Sequence, residues 1–228
     1  MLDLDVFPKI TFIMYSSSIK FDGYDLQNVP TSTGRADMLI RVMKNALYLP
    51  NEVNSEMGFL LFPNQQFLLE LEKELQIEPI EEKGFLISSK SNFFTKNPYI
   101  KTSEHELLQA LYNSFEHLPN PSKDSLFEKG FRLNFYECIS SFVEQGIPVY
   151  FLNEEGTPIE NLGLFQNSEQ EKICFVVGDQ IGFSDIDLEA LPKEITPISL
   201  GKTSFLGSTT ISLIKWMIWL NQNTTHKP

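Results

Sequence analysis

Two short apolar runs in the last quarter of the chain break off in the same way. One reads FVVGDQIGF (residues 175–183) and the other ISLGKTSFLGSTT (198–210). Each starts as β-branched and aromatic residues and ends in glycine and small polar ones. Between them lies an acidic stretch, read as a short helix over 185–191, and the second run leads straight into a very apolar helix, ISLIKWMIWL (211–220). Strand ends that carry glycine loops and sit close in sequence are what a parallel α/β sheet uses to build a ligand crevice beyond its strand carboxyl ends.

The rest of the chain alternates in the manner such a sheet requires. Residues 10–15 (ITFIMY), 57–62 (MGFLLF), 83–88 (KGFLIS), 147–152 (IPVYFL), 173–177 and 195–200 read as strands. Thr33 is placed to cap a helix over about 34–49, with Leu39, Ile40, Met43, Ala46 and Leu47 at helical spacing. Residues 65–76 read as helical or irregular. Ser103 caps a helix over 104–118, whose Leu107, Leu108, Leu111, Phe115 and Leu118 share a face, and Pro119 and Pro121 end it. Residues 124–145 read as mostly helical with a break at Gly130 and a regular start near Arg132. Gly146 stops that helix, the polar stretch 153–172 is an excursion between strands, and 208–221 form the last helix. Helices alternating with buried strands predict one α/β domain, a mostly parallel sheet covered on both faces.

Composition narrows the function classes. With 30 Asp and Glu against 18 Lys and Arg, the net charge is −12. A surface of that sign repels nucleic acid on average, so an RNA partner needs a local basic patch. Cys138 and Cys174 make no framework and no CxxC, and His105, His117 and His226 are scattered, which argues against a structural zinc. The start, MLDLDVFPK, lacks the basic and apolar segments of a signal peptide. The longest apolar run is ten residues with Lys215 inside it, short of the ~20 that span a bilayer. A soluble, cytoplasmic protein without metal is expected.

The motifs, taken in order, resemble a family. VVGDQIGF followed by ISLGKTSFLGSTTISLI resembles the C-terminal half of SPOUT-superfamily methyltransferases, in particular the pseudouridine N1-methyltransferases acting on the T-loop of archaeal tRNA. DLQNVPTSTGRADMLIRVMKNALYLPNEV (25–53) is similar to that family's Gly-Arg-x-Asp and the amphipathic helix behind it. GFR (130–132) and IPVYFLNEEG (147–156) follow in the expected order. The resemblance runs from about residue 10 to about residue 220. It implies a Rossmann-like sheet with a C-terminal trefoil knot, S-adenosylmethionine at the ends of the strands near 147, 173 and 195, a tRNA or other structured RNA substrate, and a homodimer through the last helix. Independently of the family, Ile211, Leu213, Ile214, Trp216, Met217, Ile218, Trp219 and Leu220 wrap nearly all sides of that helix, so it needs cover on more than one face, from a second copy or from within the subunit.

The resemblance places Leu152, Val177, Gly178, Ile198, Leu200, Gly201, Leu206 and Thr210 around the cofactor, where apolar walls and closely approaching backbone suit an adenosine. Gly178, Gly182 and Gly201 also read as simple turn geometry. Arg35 and Asp37 match Gly-Arg-x-Asp and become the catalytic candidates. Asp37 alone is a good first-turn acid, i,i+4 from Arg41, whereas a cation at position 35 opposes the helix dipole. Arg35 and Arg132 are the candidate RNA grips, and Asp37 is expected to hydrogen-bond the base or help remove its N1 proton. Two residues apart, Arg35 and Asp37 would not share a helix face. At 205–210 the chain departs from the family, reading FLGSTT where the archaeal proteins carry a His-rich stretch ending in Cys; Thr210 stands at the Cys position. Two other readings stay open: a dimeric SPOUT-fold binding module without catalysis, and a methyltransferase of this fold with a non-RNA substrate.

Overall fold

Strand β1 (Ile10–Ser16) is buried at six of its seven positions, so both of its faces must be covered and it belongs inside a sheet. The computed structural model, which describes residues 2–20, 35–49, 52–96, 103–118, 122–162, 172–179, 189–202 and 206–224, places it there. After β1 the chain forms helix α1 (Ala36–Leu47), a small hairpin of β2 (Tyr48–Leu49) and β3 (Glu52–Val53), β4 (Met57–Pro63), α2 (Gln65–Leu75), β5 (Gly84–Ser88), α3 (Asn92–Lys96) and α4 (Glu104–Glu116). It continues through β6 (Lys129–Phe131), α5 (Phe135–Glu144), β7 (Val149–Pro158), β8 (Ile173–Val177), β9 (Thr196–Ser199) and α6 (Gly207–Thr224).

Seven strands form one sheet in the order β6-β5-β4-β1-β8-β7-β9. The five from β4 to β9 are parallel, and β5 and β6 add an antiparallel edge. Alternation decides which side each residue serves. Phe12 and Met14 of β1, Phe59 and Leu61 of β4 and Phe175 and Val177 of β8 lie under α1, α2, α4 and α6. Ile13, Leu60, Phe62, Cys174 and Val176 point the other way, onto α5 and the N-terminal turn.

Local sequence explains several helix starts. Ser103 and Glu106 complete a capping box on α4, and Asn134 with Glu137 does the same for α5. Several expectations need correction. Helix α1 begins at Ala36 behind Arg35, not at residue 34, and the proposed cap Thr33 lies outside the described residues. It ends at Leu47 because Tyr48 turns extended to enter the hairpin. The stretch read as mostly helical over 124–145 contains β6, which pairs with β5 through Phe85–Gly130 and Gly84–Phe131. The excursion read at 153–172 begins instead as a continuation of β7 to Pro158. Most of the acidic helix expected at 185–191 lies outside the described residues.

Helix α6 buries Ile211, Ile214 and Ile218 while Trp216 and Trp219 stay about half exposed, at 55% and 51%. Among the buried stripe sits Lys215, whose Nζ donates to the carbonyl oxygens of Asn45 (2.7 Å) and Tyr48 at the end of α1. The negative pole of that helix meets a cation there, yet burial pushes the amine down from 10.5 to about 8. Between those two values the unfolded chain holds a proton that the folded chain has released, so this group makes stability rise with pH across the window. Lys215→Met should flatten that rise in urea melts compared at about pH 7.5 and about pH 10; the same rise in both proteins would mean the lysine is not its source.

Candidate active site

The parallel strands bring their carboxyl ends to one rim of the sheet: Ser16, Pro63, Val177 and Ser199, with Leu152 of β7 in the same row. The strand after β1, β4, lies on one side, and the strand after β8, β9, lies on the other, so strand order reverses between β1 and β8. A crevice forms at such a reversal because the flanking connections depart in opposite directions. Leu152 faces Ile198, and Phe151 faces Val176, so Leu152, Val177 and Ile198 stand side by side on neighbouring strands.

Around this row the predicted cofactor residues are disposed unequally. Val177, Ile198 and Thr210 are buried, and Leu152 and Leu200 partly. A side-chain carbon at Gly207 would lie 3.2 Å from Val42 Cγ2 and 3.6 Å from the Gly178 carbonyl oxygen, which seats the first turn of α6 on the exit of β8. Gly201 has φ of 111°, a conformation that favours glycine. Leu206 is 62% exposed, so it stands outside the packed row.

A bulge shapes the neighbouring rim. Leu152 and Thr157 both face Ile198, so residues 153–156 loop out of β7. Gly156 then presses on β9: a Cβ there would lie 2.6 Å from the Ile198 amide nitrogen. Ser199 Oγ donates to the Glu154 carbonyl (2.9 Å) and accepts from the Gly201 amide (3.0 Å), fastening the end of β9 to this bulge.

On the other side of the reversal a cleft of about 320 Å³ opens, lined among others by Ser17, Ser18, Lys20, Arg35, Asn64 and Phe67. Arg35 is not helical. Its φ and ψ of 67° and 32° are left-handed, and it occupies the N-cap position of α1 with no side-chain hydrogen bond that caps the helix. That conformation resolves the spacing problem. Outside the helix, Arg35 folds back over the first turn, and its Nε and Nη2 reach Asp37 Oδ1 and Oδ2 at 3.0 and 3.2 Å. A non-glycine residue held left-handed stores strain, which clusters at functional sites.

Partial burial works to raise the Asp37 carboxyl, but the hydrogen bonds and charge of Arg35, with help from Arg41 and the Met38 amide, hold it below the ordinary carboxylate range. It is therefore an ionised acceptor at neutral pH. Arg132 follows β6 on the outer edge of the sheet, 75% exposed and paired with Glu81. It does not line the cleft.

Sequence reasoning missed three side chains here: Ser17, Asn64 and Asp179. Ser17 donates its amide (2.8 Å) and its Oγ (2.6 Å) to Asp179 Oδ2, which ties the exits of β1 and β8 together. Asp179 lay inside the quoted GDQIG run without a role. Asn64 follows a strand directly, a cap signal that could have been read. The two thiols take no part: burial pushes Cys138 up to about 12 and Cys174 well up also, so neither is a nucleophile. Among the described residues no group of three or more His, Cys, Asp or Glu could hold a metal ion, and no helix is long and apolar enough to cross a membrane.

Comparison with known proteins joins these observations. A tRNA (pseudouridine(54)-N(1))-methyltransferase of Thermococcus onnurineus is 27% identical over 197 residues, covering 84% of this chain and 87% of the relative. The protein of the same name from Thermococcus kodakarensis is 22% identical over 219 residues, covering 92% and 98%. The chain is similar to these archaeal methyltransferases over nearly its whole length. No family model matches it. The crystal structure of Archaeoglobus fulgidus Nep1 bound to S-adenosylhomocysteine superposes with a TM-score of 0.57 at 11% identity, covering 94% of this chain and 99% of that one, so the fold is shared.

Two substitutions probe this geometry. Because the folded-state carboxyl of Asp37 titrates low, its stabilisation is present above the ordinary carboxylate pKa and is lost as pH falls through the folded value. Asp37→Asn should therefore destabilise at neutral pH, and the loss should shrink as pH falls below the ordinary carboxylate range; a loss that does not change with pH would show that the charge is irrelevant. Gly156→Ala should cost about 1–3 kcal/mol in thermal unfolding, since β9 has to move off the bulge. An unchanged midpoint would mean that this contact yields freely.

Proposed function

We propose that this protein is an S-adenosylmethionine-dependent RNA methyltransferase that methylates N1 of a pseudouridine in tRNA. The observation that carries the reading is the near full-length similarity to proteins of that name, on a chain whose Gly-Arg-x-Asp ion pair stands beside the cleft at the exits of β1 and β4. Leu152, Val177 and Ile198 supply apolar walls, and the backbone at the partly exposed Gly178 and the exposed Gly201 supplies close polar contacts, which together suit an adenosine. S-adenosylmethionine brings an electrophilic methyl group on a sulfonium. The target N1 needs no covalent help from the protein, so the absence of the family's Cys at Thr210 leaves this chemistry intact; positioning supplies most of the rate.

Arg35 and Asp37 then have distinct tasks. Asp37, kept ionised, accepts a hydrogen bond from an N–H of the base and is too weak a base to be the main proton acceptor. Arg35 restrains that carboxylate and presents its remaining donors to the RNA. The base must leave its stack to reach the rim. Arg132, on the outer edge of the sheet, serves a backbone phosphate when it exchanges Glu81 for one.

The same reading includes a C-terminal trefoil knot, a cytoplasmic location and a homodimer. The stacked Trp216 and Trp219 rings, with centroids 5.0 Å apart, and the exposed edge of Leu220 form an apolar face that a two-fold partner copy would cover.

Methyl transfer to a T-arm transcript carrying pseudouridine at the target position, and not to the same transcript carrying uridine, is the expected result. Equal transfer to both, or none despite donor binding, removes the proposed substrate; no thermal stabilisation by the donor favours a non-catalytic binding module.

A further inference from the structure

The cleft beside Arg35 has a wall that the proposed chemistry has not used. Its floor is the loop leaving β1, residues 16–20, and four of that loop's five carbonyl oxygens accept from a side chain elsewhere in the protein. Asn64 sits at the exit of β4. Its Nδ2 donates to the carbonyl oxygens of Ser17 and Ile19, both at 3.1 Å, and more distantly to Ser16, while its backbone amide donates to Ser16 O at 3.0 Å. Its Oδ1 meanwhile accepts from the Phe67 amide at 2.8 Å and caps α2. From the opposite side Asp179 holds the amide and hydroxyl of Ser17. Tyr112, fully buried, donates its hydroxyl to Lys20 O.

Capping α2 needs only the oxygen of Asn64. Serine or aspartate would serve equally at that position. What aspartate cannot do is donate, and it is donation that gathers the loop carbonyls. A loop fixed in this way gives the cleft a wall at a constant distance from Arg35, and the Asp179 contact extends that constraint to Gly178, next in sequence. The two halves of the crevice thereby share one rigid edge. Resting on the proposed function, we infer that Asn64 is a positioning residue: its amide group holds the β1 exit loop as the fixed wall against which the RNA residue is set opposite Arg35.

The test compares wild type, Asn64→Asp and Asn64→Gln, following amide exchange by NMR, donor affinity by calorimetry, and affinity for and methyl transfer to the pseudouridine T-arm transcript. Asn64→Asp retains the α2 cap and should leave the Phe67 amide protected. The Ser17 amide should exchange about tenfold faster, and RNA affinity should fall about tenfold while donor affinity is little changed. Asn64→Gln, which keeps the donor group, should recover much of the loss. Unchanged Ser17 exchange in Asn64→Asp overturns the inference, as does an RNA affinity equal to wild type or a parallel fall of donor and RNA affinity. A wild type that binds donor but methylates no RNA overturns the proposed function instead, and that outcome appears in the wild-type arm alone.

Discussion

A strand that is apolar on both faces survives in water only with cover on both sides, and β1 is such a strand. Phe12 and Met14 demand one layer of helices, Ile13 another, and the parallel partners β4 and β8 extend each demand sideways. Parallel pairing in turn forces each connection to travel back over a face of the sheet. Layering, direction and the clustering of strand exits on one rim all follow from that burial. The rim is then the place where the backbone is free to vary without exposing the core.

At that rim the structure alternates between rigid and accommodating parts. The β7 bulge, Gly156 and Ser199 fix the exit of β9, and the first turn of α6 lies on Gly178. Across the reversal, Asn64 and Asp179 fix the exit of β1. Beside the cleft Arg35 and Asp37 pair with each other, which leaves the carboxylate ionised. A chain of net −12 thus keeps a paired cation, Arg35, in the lining of the cleft.

Much of this was legible because it is local. Strands β1, β4 and β8 announce themselves as short apolar runs, and α1 and α4 as amphipathic stripes with boundaries right to within a few residues. What escaped is non-local. Nothing in KGF (129–131) marks a strand until β5 lies beside it, and the bulge of β7 exists only relative to Ile198. The left-handed Arg35 runs against the preference of arginine, and an argument that placed Arg35 and Asp37 on one helix could not bring them together. Ser17 belongs to a plain serine run whose importance comes from Asp179, 162 residues away. The site motifs were readable as similarity, whereas the hydrogen bonds that hold them in place had no sequence signature.

The backbone at Arg35 carries an implication for anyone seeking a sturdier version of this protein. Its torsion angles suit glycine or asparagine far better than a long cationic side chain. A search for stabilising replacements guided by fold alone would rank position 35 near the top and would strip the guanidinium from the crevice in doing so. On the proposed function, robustness and activity are opposed at that one residue, and improvements in heat tolerance are better sought on the solvent side of α2 or along the β6 edge.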